Sequence, residues 1–70
     1  MRKPICDLVA ERVRARRTEL EMPRRVLAEK TDISERYLAQ LEAGKANVSI
    51  ILLERIAKGL GVDMVSLLER

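Results

Sequence analysis

Ser34-Glu35-Arg36-Tyr37-Leu38-Ala39-Gln40-Leu41-Glu42-Ala43-Gly44-Lys45 is the stretch that decides the fold. Ser34 reads as a helix N-cap, because a serine hydroxyl accepts a hydrogen bond from a backbone N–H two or three residues on. Gly44 reads as the stop, since glycine takes the left-handed conformation that ends helices. Between them Leu38 and Leu41 are three apart, and Ile33 lies just before the cap. That spacing predicts a three-turn helix with one apolar seam. Its opposite side carries Glu35, Arg36, Ala39 and Gln40, short or polar groups that offer hydrogen-bond donors and acceptors.

Working outward, Thr31-Asp32-Ile33 reads as a tight turn, with Asp32 able to tolerate a left-handed backbone and Ile33 as a core plug. The preceding helix is predicted over about Arg24–Lys30, with Val26, Leu27 and Ala28 inward. Glu21-Met22-Pro23 is the break before it, because Pro23 cannot continue one helix but suits the start of another. A first helix is predicted over Asp7 to about Thr18, with Pro4 just ahead of it. Leu8, Val9, Val13 and Leu20 form its apolar side, and Arg12, Arg14, Arg16 and Arg17 fill the other faces, read first as a solvated surface. After Gly44 comes the loop Lys45–Val48. Ser49 then caps a fourth helix to Lys58 or Gly59, with Ile50, Leu53, Ile56, Ala57 and Leu60 inward. Gly61-Val62 reads as a glycine C-cap with its apolar follower. Asp63 caps a fifth helix with Met64, Leu67 and Leu68 inward. The expected fold is all-α, a compact domain of five short helices. A short helix, a tight turn and a helix with one apolar seam and one polar face make a helix-turn-helix.

Bulk properties agree with one small domain. The chain has 70 residues, 47% of them apolar, and a single aromatic residue, Tyr37. Its core must therefore be aliphatic, which suits packed helices. Cys6 is the only cysteine, so no internal disulfide forms, as expected of a reducing cytoplasm. No apolar run approaches the roughly 20 residues of a membrane span, and the N-terminal stretch turns charged too early for a signal peptide. The net charge is +3, and residues 1–45 hold 11 of the 14 basic and 8 of the 11 acidic residues, so the excess lies in the first three helices. Arg24 and Arg25 in the first turn of helix 2 oppose its macrodipole, a local cost that suggests a role toward something outside, such as phosphate. Enzymatic chemistry is not expected. There is no histidine, no metal-ligand cluster and no base near Cys6, and no cofactor motif such as a G-x-x-x-x-G-K-[ST] loop.

The chain from Glu11 to Leu68 resembles the phage-repressor type of DNA-binding domain, the Cro-like XRE family with the lambda-repressor-like fold. The resemblance rests on ERVR in helix 1, LAEK in helix 2, the run S-x-x-Y-L-x-x-L-E-x-G-K, the Asn-x-Ser entry to helix 4 and the ending IAKGLGV. It implies a sequence-specific transcriptional regulator that binds double-stranded DNA as a homodimer on an inverted repeat, with residues 34–43 in the major groove. It also implies an ion pair between Arg17 and Glu42 that joins helices 1 and 3. Within the family, SERYLAQLEAGKANVSI is similar to regulators of aromatic-compound degradation of the benzoyl-coenzyme A type. That similarity implies an N-terminal fragment of a longer regulator, whose effector, an aromatic acyl-coenzyme A, binds a shikimate-kinase-like domain absent here. Four positions depart from the family. Glu21 stands where glycine is usual, at a cost of order 1–2 kcal/mol if the backbone is left-handed. Pro23 replaces a side-chain cap, Arg24 replaces a glutamine, and Asp32 replaces the turn glycine.

The chemistry of the polar face is specific enough to assign. Arg36 suits guanine O6 and N7, Gln40 suits adenine N6 and N7, Glu35 suits the cytosine amine, and Ala39 leaves room for a thymine methyl. The resemblance points to the same positions. Phosphate contacts are expected from Arg24, Arg25, Lys45, Asn47 and Ser49, the last at the N-terminus of helix 4. Tyr37 is read first as a scaffold ring, and second as a phosphate contact through its hydroxyl. The alternative function is a helical protein-interaction module, or an antitoxin, of the same fold. Such a module would carry large apolar residues where this chain has Arg36 and Gln40. The sequence shows no spare apolar face beyond helix 5.

Overall fold

A computed structural model describes residues 5–69, so Pro4 lies outside the described residues. Four α-helices run in order: α1 Ile5–Glu19, α2 Arg24–Thr31, α3 Glu35–Glu42 and α4 Ile50–Leu60. The fifth element is a single 3-10 turn, Met64–Leu67. Helix α3 packs on α1 and α2, while α4 closes the other side against α2, α1 and the 3-10 turn. The core between them is Val9, Val13, Leu27, Ile33, Leu38, Leu41, Leu53, Ile56, Ala57, Leu60 and Leu67. All are aliphatic, as one aromatic residue in the chain requires.

Helix starts follow the predicted caps. Ser34 Oγ accepts from Tyr37 N at 3.0 Å, and Ser49 Oγ accepts from Leu52 N at 3.1 Å. Pro23 precedes α2 with no side-chain cap. Asp63 occupies the cap position of the last turn, but its carboxylate accepts no capping bond. Instead its carbonyl accepts from Ser66 N at 3.0 Å and from Ser66 Oγ at 2.7 Å. That double return shortens the expected fifth helix to one tight turn, a common use of serine near its own backbone.

The four helices end alike. Glu21, Asp32, Gly44 and Gly61 each stand in the left-handed region, with φ of 52°, 57°, 75° and 68°. In each case the next amide reaches back five residues: Met22 N to Arg17 O, Ile33 N to Ala28 O, Lys45 N to Gln40 O and Val62 N to Ala57 O. Met22, Ile33 and Val62 then fold onto the core, the apolar contact that accompanies this type of helix stop. Two of the stops are therefore made without glycine. Glu21 pays for that conformation more than Asp32, because a short polar side chain tolerates it better. Glu21→Gly is expected to stabilise the fold by about 0.5–1 kcal/mol. Relief of about 1–2 kcal/mol of left-handed strain is partly offset by the greater freedom of glycine in the unfolded chain. Thermal unfolding measures it, and a lower melting temperature would refute the strain.

The arginines of α1 do more than cover a solvated surface, although Arg12 and Arg14 are exposed. Arg12 Nε donates to Glu69 O at 3.0 Å, Arg14 Nη1 to Glu42 O at 2.8 Å, Arg16 Nε to Leu60 O at 3.0 Å and Arg17 Nη1 to Met22 O at 2.9 Å. Glu42 and Leu60 are the last residues of α3 and α4. Carbonyls at helix C-termini lack intrahelical partners and carry partial negative charge, so a guanidinium satisfies both needs. Helix α1 is thus a spine whose long side chains tie down the ends of the other elements.

Three inward assignments are corrected. Ile50 is 73% exposed, and Leu20 and Leu68 are also exposed. Ile50 continues the apolar stripe of α4 by one turn, but reaches the mouth of an open groove rather than the core. Ile5, Val9, Val48, Leu53, Met64 and Leu68 line that groove with it. Ile51 beside it is 68% exposed and Val65 is exposed too. The chain therefore does carry a spare apolar face, contrary to the expectation from sequence. At Gly59 a side chain would meet Thr31 Cγ2 at 2.8 Å. The absence of one lets α4 close against α2.

Candidate nucleic-acid interface

Helix α3 divides as its spacing predicts. Leu38 and Leu41 are buried in the core, while Glu35, Arg36 and Gln40 are exposed and Ala39 is half-buried. Arg36 and Gln40 are four apart and stand one turn above the other on the outer side. An α-helix that is anchored on one side and open on the other can enter a groove without giving up core contacts.

The polar ties of α3 to its neighbours are concentrated at its last residue. Glu42 is only 3% exposed. Its carboxylate accepts from Arg17 Nε at 2.8 Å and from Arg17 Nη2 at 3.0 Å, a bidentate pair across to α1. Arg24 Nη2, from the start of α2, adds a third bond at 3.3 Å. The Glu42 carbonyl meanwhile accepts from Arg14. The hydrogen bonds to Glu42 raise the Arg17 guanidinium above its ordinary pKa, burial works against this, and the charge of Glu42 adds to the rise. Neither Arg14 nor Arg24 was expected here. The signal for Arg14 is present in the sequence, because Arg14 and Arg17 are three apart and share a face of α1. No local spacing reveals Arg24, which lies 18 residues from Glu42.

The loop after α3 is tied from both sides. Tyr37 Oη donates to Asn47 O at 3.3 Å, and its half-buried ring packs on the core. Its hydroxyl is thus engaged with the scaffold, beside the ring packing that is the first reading of this residue. Cys6 Sγ donates to Asn47 Oδ1 at 3.5 Å, and Asn47 is exposed. Lys45 is exposed beside this loop. Ser49 is exposed, and its Oγ caps α4 so that the amides of Ile50 and Ile51 precede the first intrahelical bond. Arg25 is exposed and loosely paired with Glu29 at 3.7 Å, a surface contact of little energetic weight. Arg24, Arg25, Lys45, Asn47 and Ser49 thus fall at the α2 start and the loop leading into α4, on either side of α3 in the chain. Among the described residues there is no group of His, Cys, Asp and Glu able to hold a metal ion, and no helix long and apolar enough to cross a membrane.

Comparison with known proteins points one way. A family model described as helix-turn-helix matches residues 13–67. The immunity repressor protein of Bacillus phage phi105 is 38% identical over 56 residues, which is 80% of this chain and 39% of the repressor. The chain therefore spans well under half of that relative. Control protein C.MunI of Mycoplasma sp is 33% identical over 52 residues, covering 74% of this chain and 70% of the control protein. Among solved structures, the restriction-modification controller protein C.Esp1396I, a tetramer in complex with its natural 35 base-pair operator, superposes with a TM-score of 0.85. It is 29% identical, over 94% of this chain and 87% of that one.

Proposed function

Because the chain belongs to the helix-turn-helix family, we propose that it is a sequence-specific transcriptional regulator that reads double-stranded DNA with α3. The observation that carries this reading is the exposed pair Arg36 and Gln40 on a helix whose other side and last residue are locked into the fold. Arg36 and Gln40 take base edges in the major groove, with Glu35 beside them and Ala39 against a methyl group. Arg24, Arg25 and Lys45 neutralise phosphates, and Asn47 and the N-terminus of α4 at Ser49 donate to them. Residues 1–70 act as the DNA-binding domain of a cytoplasmic protein, with no catalytic role.

The operator is an inverted repeat held by a homodimer, with recognition helices about 34 Å apart along the duplex. The exposed Ile50, Ile51 and Val65 supply an apolar face for the second copy. That face lies on α4 and the last turn and leaves α3 free. The similarity to a repressor and to controller proteins supports the reading. A protein-interaction module is less favoured, because the α3 face itself carries Glu35, Arg36 and Gln40 and no large apolar residue.

Two substitutions separate base readout from phosphate binding. Gln40→Ala is expected to cost about 1–3 kcal/mol on the preferred duplex, selected from a randomised pool, and little on unrelated DNA. Lys45→Ala is expected to weaken both duplexes alike. Equal loss on both DNAs from Gln40→Ala would show that α3 does not read sequence.

A further inference from the structure

Arg24 is poorly satisfied where it stands. Its contact with Glu42 is a single bond at 3.3 Å to an oxygen that Arg17 Nη2 already holds at 3.0 Å. Its Nε is shut off from solvent and has no hydrogen-bond partner. It is also the first residue of α2, where the helix end is already positive. One carboxylate faces two guanidinium groups, so one positive charge is left over at the junction of α1, α2 and α3. A buried donor without an acceptor and a surplus cation at a helix N-terminus are both unfavourable in the free protein. Both are relieved by one anionic oxygen.

Resting on the DNA-binding reading, we infer that Glu42 holds Arg24 in a waiting pose, from which its guanidinium turns outward to a backbone phosphate when DNA binds. Release costs little, because Arg17 keeps both carboxylate oxygens of Glu42 and no buried charge is left unpaired. The side chain is already 36% exposed, so the turn needs no opening of the core. In the bound state phosphate supplies the acceptor that Nε lacks. Glu42 is thus a positioning residue for phosphate binding as well as an anchor of α3.

Arg24→Met tests this, because methionine keeps an unbranched, flexible side chain and removes both the charge and the orphan donor. The melting temperature is expected to stay the same or rise, while the slope of log K against log salt becomes shallower by about 1 per domain. A lower melting temperature with an unchanged slope would make Arg24 a purely structural member of the cluster and overturn the inference. An unchanged slope at an unchanged melting temperature overturns it equally. The parent protein is followed in parallel by NMR as duplex DNA is added. The Arg24 Nε–H signal is expected to move while that of Arg17 stays in place, and a stationary Arg24 signal counts against the inference. A flat salt slope in the parent itself would instead remove the DNA-binding reading, and this inference with it.

Discussion

Arg17→Ala is expected to destabilise the fold by about 3 kcal/mol, the largest loss anticipated from a single change outside the apolar core. Glu42 is 3% exposed and takes two of its three side-chain bonds from Arg17. Removing one partner of a buried pair costs about 3–5 kcal/mol, because the remaining charge is stranded in a poorly solvating site. Arg24 keeps one bond to Glu42, which places the value at the lower end. For a domain of this size about 3 kcal/mol corresponds to a fall of about 12–24 °C in melting temperature. Replacing Arg17 and Glu42 together by methionine should cost less than Arg17→Ala alone, since apolar groups of similar volume leave no stranded charge. An unchanged melting temperature in Arg17→Ala would show that the pair contributes nothing. The pair adds no pH dependence near neutrality. Arg17 has its pKa raised by Glu42, so its contribution is fully present below the ordinary guanidinium pKa and is lost only above the raised one.

The largest effect on function is expected from salt. Four of the arginines are committed to carbonyls of the fold, Arg12, Arg14, Arg16 and Arg17. The cations left around α3 for phosphate are Arg24, Arg25 and Lys45, which makes about three neutralised phosphates per domain. Each contributes about −0.9 to the slope of log K against log salt, giving about −3 per domain and about −6 for a dimer. Raising salt from 50 to 200 mM would then weaken dimer binding by roughly 2,000- to 4,000-fold. Measured at protein concentrations above and below dimerisation, the two slopes also report whether two copies bind together. A slope near zero would end the phosphate assignment, and with it the DNA-binding reading.

Most of the scaffold was legible along the chain because its signals are local. Ser34 and Ser49 sit where their own following amides need an acceptor. Gly44 and Gly61 mark helix ends by a backbone preference that no neighbour has to enforce. Glu21 could be placed as a strained stop only through the family resemblance, which has glycine at that position. Leu38 and Leu41 against Arg36 and Gln40 gave the two sides of α3 by spacing alone. The short fifth element was over-read, because the return of Ser66 to Asp63 competes with a helix that the apolar pattern alone would favour.

Long-range partners were another matter. Whether an arginine on α1 faces solvent or a distant carbonyl depends on where Glu42, Leu60 and Glu69 arrive in space; the spacing of Arg14 and Arg17 puts those two on one face, but nothing in residues 12–17 records the partners of Arg12 and Arg16. The same holds for Arg24 against Glu42, for Tyr37 against the Asn47 carbonyl, and for Ile50, whose stripe points inward but overhangs the core. Local periodicity determined the helices, their stops and the outer face of α3, because caps and 3.6-residue spacing act within a few residues. Only the packing of the helices decided which charges are spent on the fold and which apolar side chains stay exposed, because burial and hydrogen-bond partners depend on groups brought together from far along the chain.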